Sequence, residues 1–135
     1  MSLFRIFDIS GSALHAQSVR LNTTASNMAN MDSISSSTSQ TYRAREPVFA
    51  AQLNEAESDV AGVSVLGIVE SDKPLRSEYR PDHPLADANG YVNLPNVNPI
   101  EEMANMISAS RSYQANVEVL NTSKQLMMRT LALGE

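Results

Sequence analysis

Residues 98–131 read NPIEEMANMISASRSYQANVEVLNTSKQLMMRTL, and their spacing decides the fold. Asn98 carries the acceptor side chain that an N-cap needs. Pro99 suits the first helical position, and Glu101 and Glu102 favour the positive end of the helix dipole. Met106, Tyr113, Leu120 and Met127 recur every seven residues, and Met103, Val117 and Leu131 fill the companion positions three residues earlier or four later. Apolar residues at that spacing lie along one stripe of a helix. The sequence therefore predicts a helix of about 50 Å from Asn98 to about Leu131, with Gly134 placed as a C-cap.

Working outward, the other end of the chain carries a second stripe. Phe7, Leu14, Leu21 and Met28 recur every seven residues, flanked by Phe4, Ala25 and Ala29. They predict a helix from about Leu3 to Asn30, about 40 Å long. Its one glycine, Gly11, sits in Ser10–Gly11–Ser12. That triplet reads as a weak point, or as a place where another element comes close. Two such stripes can close on each other or on other subunits. An enzyme rarely puts its strongest apolar seams at its two ends, whereas a protein that polymerises through its termini does.

Between the helices the pattern changes. Ser33 to Thr41 is a Ser/Thr tract and reads as an exposed flexible loop. Tyr42 to Leu53 alternates in part, with Pro47 marking an edge strand or a bulge. Asn54 to Gly62 is acidic and turn-like. Val63 to Val69 is rich in β-branched residues and reads as the clearest strand. Leu75 to Tyr79 and Tyr91 to Leu94 are short extended pieces, the second opened by the Asn89–Gly90 turn signal. The expected fold class is α+β: long N- and C-terminal helices form a paired, coiled-coil-like layer around a small middle rich in β-hairpins. The expected segments are 1–32 (N-terminal helix), 33–97 (loop and β region) and 98–135 (C-terminal helix).

Composition narrows the function. Of 135 residues, 42% are hydrophobic but only 5% aromatic, with no Trp, so an isolated copy is weakly cored. The formal net charge of −5 argues against nucleic acid or an anionic membrane as partner. With no cysteine, disulfides, thiolate metal sites and a Cys nucleophile are excluded. No apolar run approaches the roughly 18 residues of a membrane span. Arg5 and Asp8 interrupt the apolar segment Leu3 to Ile9, which is too short and too charged for a secretory signal. The chain is expected to be cytoplasmic, or exported by a route that needs no cleaved signal.

Few residues offer chemistry. His15 stands beside Leu14 with no acidic or His partner one turn away, and reads as a helix-surface histidine. Asp82, His83 and Asp87 are the one carboxylate–histidine cluster, yet Pro81 and Pro84 bracket His83 and the segment has the composition of a turn. No phosphate-cradling glycine loop, nucleophile elbow or zinc-helix motif occurs. No enzyme activity, cofactor or metal is expected. The amides carry more information: Gln17, Asn22, Asn27 and Asn30 line the first helix, and Asn105, Gln114, Asn116, Asn121 and Gln125 the last. Amides hydrogen-bond without the desolvation cost of charge and suit crowded contacts between helices, here between subunits.

Two segments together carry a resemblance. Ala25-Ser-Asn-Met-Ala-Asn-Met-Asp-Ser33 resembles the ASNLANxxT signature of bacterial flagellar axial proteins, the rod, hook and hook-associated proteins, with Asn27 and Asn30 at its asparagines. Ser108 to Thr122 resembles their C-terminal helix, whose R-x-Y-x-x-N pattern falls on Arg111, Tyr113 and Asn116. The opening Leu3 to Ser12, the segment His83 to Val92 with Asn89 and Gly90, and Leu94 to Val97 resemble the short proximal-rod members. Met28 and Met31 stand where the signature has Leu and a small residue, swaps that keep helix and approximate volume.

The resemblance implies a structural subunit of the proximal rod, exported by the flagellum-specific type III apparatus and assembled helically into a hollow shaft that crosses the periplasm and transmits torque. It implies neighbouring rod proteins, membrane-ring or rod-junction proteins and the export apparatus as partners, with no nucleic acid and no direct lipid binding. The expected assembly interface is Phe7, Leu14, Leu21, Met28, Met103, Met106, Tyr113, Val117, Leu120, Met127 and Leu131. The rival readings are another proximal-rod paralogue and a cytoplasmic coiled-coil export adaptor.

Overall fold

The computed structural model describes residues 3–54 and 59–134. Helix α1 spans Leu3–Asn30 and helix α2 spans Pro99–Leu133, and between them lie strands β1 (Arg45–Asn54), β2 (Asp59–Glu70), β3 (Arg76–Tyr79) and β4 (Tyr91–Leu94). The strands form two separate antiparallel hairpins, β1–β2 and β3–β4. The architecture is α+β, as the sequence predicts.

The start of α2 follows its capping chemistry. Asn98 Oδ1 accepts from Ile100 N at 3.1 Å, and Pro99, Glu101 and Glu102 occupy the first turn. The helix runs on to Leu133, and Gly134 N donates to Leu131 O at 3.1 Å with φ −90°. That cap is right-handed, so the glycine's access to positive φ is not used.

The two helices run antiparallel. Arg20 Nη2 donates to Asn105 Oδ1 at 2.9 Å, while the Glu102 side chain, three positions earlier on α2, meets Thr24 and Asn27 further along α1. At 35 residues against 28, α2 is the longer helix.

Helix α1 passes through Gly11 without a break, and space is open where a Cβ at Gly11 would stand. The close approach expected there occurs at the next residue, with the missing side chain on the strand. Ser12 Oγ donates to Ile9 O at 2.8 Å and accepts from Val63 N at 3.1 Å. A Cβ on Gly62 would lie 2.6 Å from that Oγ. Strand β2 can lie against α1 because position 62 has no side chain.

The β1–β2 ribbon pairs Arg45 with Glu70 at one end and Asn54 with Asp59 at the other, with irregularities at Val48/Phe49 and Gln52/Leu53. Pro47 is accommodated opposite Ile68 because each strand of a two-stranded ribbon has a free edge. The turn expected over Asn54–Gly62 is narrower than its composition implies. Strand pairing recruits Asn54 and starts β2 at Asp59 rather than Val63. Residues 55–58 of that expected turn, like residues 1, 2 and 135 of the terminal segments, lie outside the described residues.

The Ser/Thr tract also differs from the flexible loop expected. Ser35 N donates to Asn93 O at 3.2 Å, forming a bridge to β4. Thr41 is buried, and its Oγ1 donates to Ser37 O at 2.8 Å. Short hydroxyl side chains fold such a tract onto its own backbone.

The apolar core is small and lies at β4 and its exit. Val92 and Leu94 are buried, while Tyr91 between the hairpin turn and Val92 is exposed, the period-2 alternation of a half-covered strand. Pro95, Val97 and Ala44 complete the buried apolar set of this region. Asn96, between two of them, joins three segments: its Oδ1 accepts from Ala44 N at 2.7 Å, and its Nδ2 donates to Lys73 O at 2.8 Å and Ser71 O at 3.2 Å.

Candidate assembly surface

The seam between α1 and α2 is centred one turn away from the large apolar stripe. On α1 the buried residues are Ser10, Ala16, Thr23, Thr24 and Asn27, and on α2 they are Glu102, Ala109 and Ser123. Glu102, Ala109 and Ser123 fall on one heptad position, displaced by four residues from Met106, Tyr113, Leu120 and Met127. Small side chains let the two backbones approach, so the line of closest contact runs through Ser, Ala and Thr. The larger residues expected at the interface flank that line. Phe7, Leu14, Leu21, Met28, Met106, Val117, Leu120 and Met127 are all half-buried.

Three residues of the expected interface are instead turned outward in the single chain. Met103 is 51% exposed, Tyr113 38% and Leu131 67%. They share the outer surface of α2 with Ile100, Ile107, Val119, Leu126, Met128 and Leu133. Val119, Leu126 and Leu133 recur every seven residues, one position before Leu120 and Met127, and form a second stripe. The periodicity was available to find it, but the larger side chains of the neighbouring stripe mask it. An apolar surface of this extent marks an interaction site.

The amides divide between two roles. Asn27 is an internal clamp: its Nδ2 donates to Arg45 O at 2.8 Å, and its Oδ1 accepts from Arg45 N at 2.9 Å and from Tyr42 OH at 2.8 Å. One asparagine thus satisfies both backbone groups at the first residue of β1 and fixes where the ribbon leaves the helix. Asn30 Nδ2 and Asn116 Nδ2 each bond the carbonyl one turn back, Ser26 O and Ser112 O, both at 2.8 Å. Asn105 holds Arg20. These four make bonds within the chain. Asn22, Gln114, Asn121 and Gln125 face outward, as does Arg111, and Gln17 Oε1 is buried without a partner.

Among the described residues Glu102 is the buried carboxylate of the seam. Burial pushes its pKa up, and the like charges of Glu101 and Glu46 add to the effect, while hydrogen bonds from Asn27 and Thr24 oppose it. Its place beside Asn27 joins α1, β1 and α2 at one polar junction.

The cluster of Asp82, His83 and Asp87 builds a turn. His83 Nδ1 accepts from Leu85 N at 3.1 Å, and Asp87 Oδ1 accepts from Asn89 N and Tyr91 N, both at 2.9 Å. Asn89 and Gly90 close that turn immediately before β4, and Gly90 has φ +83°. Sequence reasoning missed the Asn96 junction, the Ser12–Gly62 contact and Arg76, which donates to Pro95 O at 3.1 Å and Met31 O at 2.9 Å. A polar residue between buried apolar neighbours was the available signal for Asn96. Among the described residues no His, Cys, Asp or Glu group is disposed to hold a metal ion, and no helix is long and apolar enough to cross a membrane.

Residues 7–33 match the family model described as flagella basal body rod protein, and residues 88–133 that described as flagellar basal body rod FlgEFG protein C-terminal. The flagellar basal-body rod protein FlgC of Yersinia enterocolitica is 56% identical over 135 residues, and that of Salmonella typhimurium 53% over 135. The FlgC of Escherichia coli O157:H7 is 55% identical over 136 residues, and in all three pairs both chains are covered completely. The chain belongs to the flagellar basal-body rod protein FlgC family.

Proposed function

We propose that this chain is a structural subunit of the proximal rod, assembling helically with neighbouring rod proteins through α1 and α2 into a hollow shaft that transmits torque. The observation that supports it is the apolar surface left uncovered on α2, from Ile100 to Leu133, on a chain related over its full length to rod proteins. A heterologous contact that does not close on itself generates a helical array rather than a ring. Side chains of α2 such as Leu120 and Met127, already half-buried in the single chain, would complete their burial against neighbours. Many packed contacts of this kind resist shear.

Export through the flagellum-specific type III apparatus without a cleaved signal, contact with ring or junction proteins, and a purely structural, non-enzymatic role belong to the same reading. The test is incorporation into basal bodies in a deletion strain complemented with the variant chain. Leu120→Asp places a charge in the seam and is expected to abolish swimming and rod incorporation. Normal swimming with normal basal-body yield overturns the assignment.

A further inference from the structure

The connection from β3 to β4 ends in an asparagine followed by glycine, the dipeptide most open to deamidation because no Cβ on the second residue hinders attack. In that reaction the Gly90 nitrogen attacks Asn89 Cγ and a C–N bond forms. The Cγ–Nδ2 bond breaks, and Nδ2 leaves as ammonia with the proton from the Gly90 amide. Water then opens the succinimide to aspartate or to isoaspartate, which adds an atom to the backbone.

The fold does not allow the glycine to be exchanged. Gly90 has φ +83°, and a Cβ there would stand 2.8 Å from Tyr79 Cε2 and 3.2 Å from Pro81 Cβ. The same turn immobilises the attacking group. Gly90 N donates to Asp87 O at 3.0 Å and Gly90 O accepts from Arg80 N at 2.8 Å. On either side, Asn89 N and Tyr91 N both donate to Asp87 Oδ1 at 2.9 Å, and Asp87 N donates to Tyr91 O at 2.8 Å. All three amides from Asn89 to Tyr91 are held by one residue.

We propose that Asp87 protects the Asn89–Gly90 pair from deamidation, by holding the turn in a form in which Gly90 N cannot close on the Asn89 side chain. The protection matters to the fold, since an extra backbone atom at position 89 would displace the Tyr79–Tyr91 pair and, next to it, buried Val92.

The test follows conversion of the Asn89 amide to acid by peptide mass spectrometry, with isoaspartate measured enzymatically. The purified full chain and a synthetic peptide of residues 85–93 are aged together at mildly alkaline pH. The full chain is expected to react at least about tenfold more slowly than the peptide, a barrier difference of about 1.4 kcal/mol. Asp87→Ala should move the full chain towards the peptide rate, whereas Asp87→Asn, which keeps an acceptor oxygen, should stay near the parent. Hydrogen exchange on the unaltered chain should find the Asn89, Gly90 and Tyr91 amides protected, a readout that needs no variant to fold. A full chain that deamidates at the peptide rate, unprotected amides at these positions, or a folded Asp87→Ala chain with an unchanged rate each overturns the proposal.

Discussion

Asn27 and Glu102 carry the residue-scale consequences. Asn27→Ala removes the three hydrogen bonds to Arg45 and Tyr42 as well as the one to Glu102, and leaves both backbone groups of Arg45 without that partner. These contacts are part-buried, and leaving such groups without partners costs up to about 1–3 kcal/mol, so urea denaturation should find the variant destabilised by about 1–3 kcal/mol. Asn27→Asp keeps the acceptor but loses the donor and sets a carboxylate beside Glu102. It is expected to fare no better at neutral pH and to recover as the pH is lowered. Because the pKa of Glu102 is raised on folding, the folded chain binds that proton more tightly than the unfolded one. Its contribution is therefore fully present at or below the ordinary glutamate pKa, and is lost as pH rises through the raised value. Glu102→Gln removes the ionisation and keeps the shape. It should raise Tm at neutral pH, with the gap to the parent closing as pH falls through that window. A gap that stays constant with pH would contradict the assignment.

At the scale of elements, the decisive contact is that of the β1–β2 ribbon with α1. Gly62→Ala pushes a methyl against Ser12 Oγ, and overpacking of this kind costs about 1–3 kcal/mol. Gly67→Ala, on the same strand with nothing within 4 Å of the added atom, is expected to be neutral or slightly stabilising. Thermal denaturation of the pair compares the same chemical change in one strand, and the Gly62 shift reports the contact with Ser12 together with the backbone cost of a side chain at φ +156°. Equal shifts in Tm would mean that the ribbon does not depend on its seat against Ser12. The helices themselves were legible because caps and heptads are local signals. The seat was not, because a glycine in a strand does not say which distant side chain it approaches.

For the whole molecule, the two faces of α2 separate folding from assembly. Leu126 lies on the outward stripe and is 51% exposed, so Leu126→Asp should leave the circular dichroism and Tm of the purified chain close to the parent while preventing rod incorporation. Leu120 is half-buried, and Leu120→Asp should impair both. A Leu126→Asp chain that enters basal bodies normally would remove the outward stripe from the assembly surface. The weak core follows the same division. Among the described residues the buried apolar set is a few residues near β4 together with Ala16 and Ala109 of the helices, while many of the large side chains of α2 remain uncovered for partners.

By itself the sequence determined the element types and both helices, since 3.6-residue periodicity, an Asn–Pro start and an Asn–Gly turn are written in neighbouring residues. It also carried the family resemblance. Only the tertiary structure decided which of two stripes on α2 meets α1. Burial depends on how closely backbones approach, and that favours the small residues Ala109 and Ser123 over the larger ones beside them. It likewise gave Asn27 and Asn96 their roles, because a hydrogen bond between residues far apart in sequence exists only once the chain has brought them together.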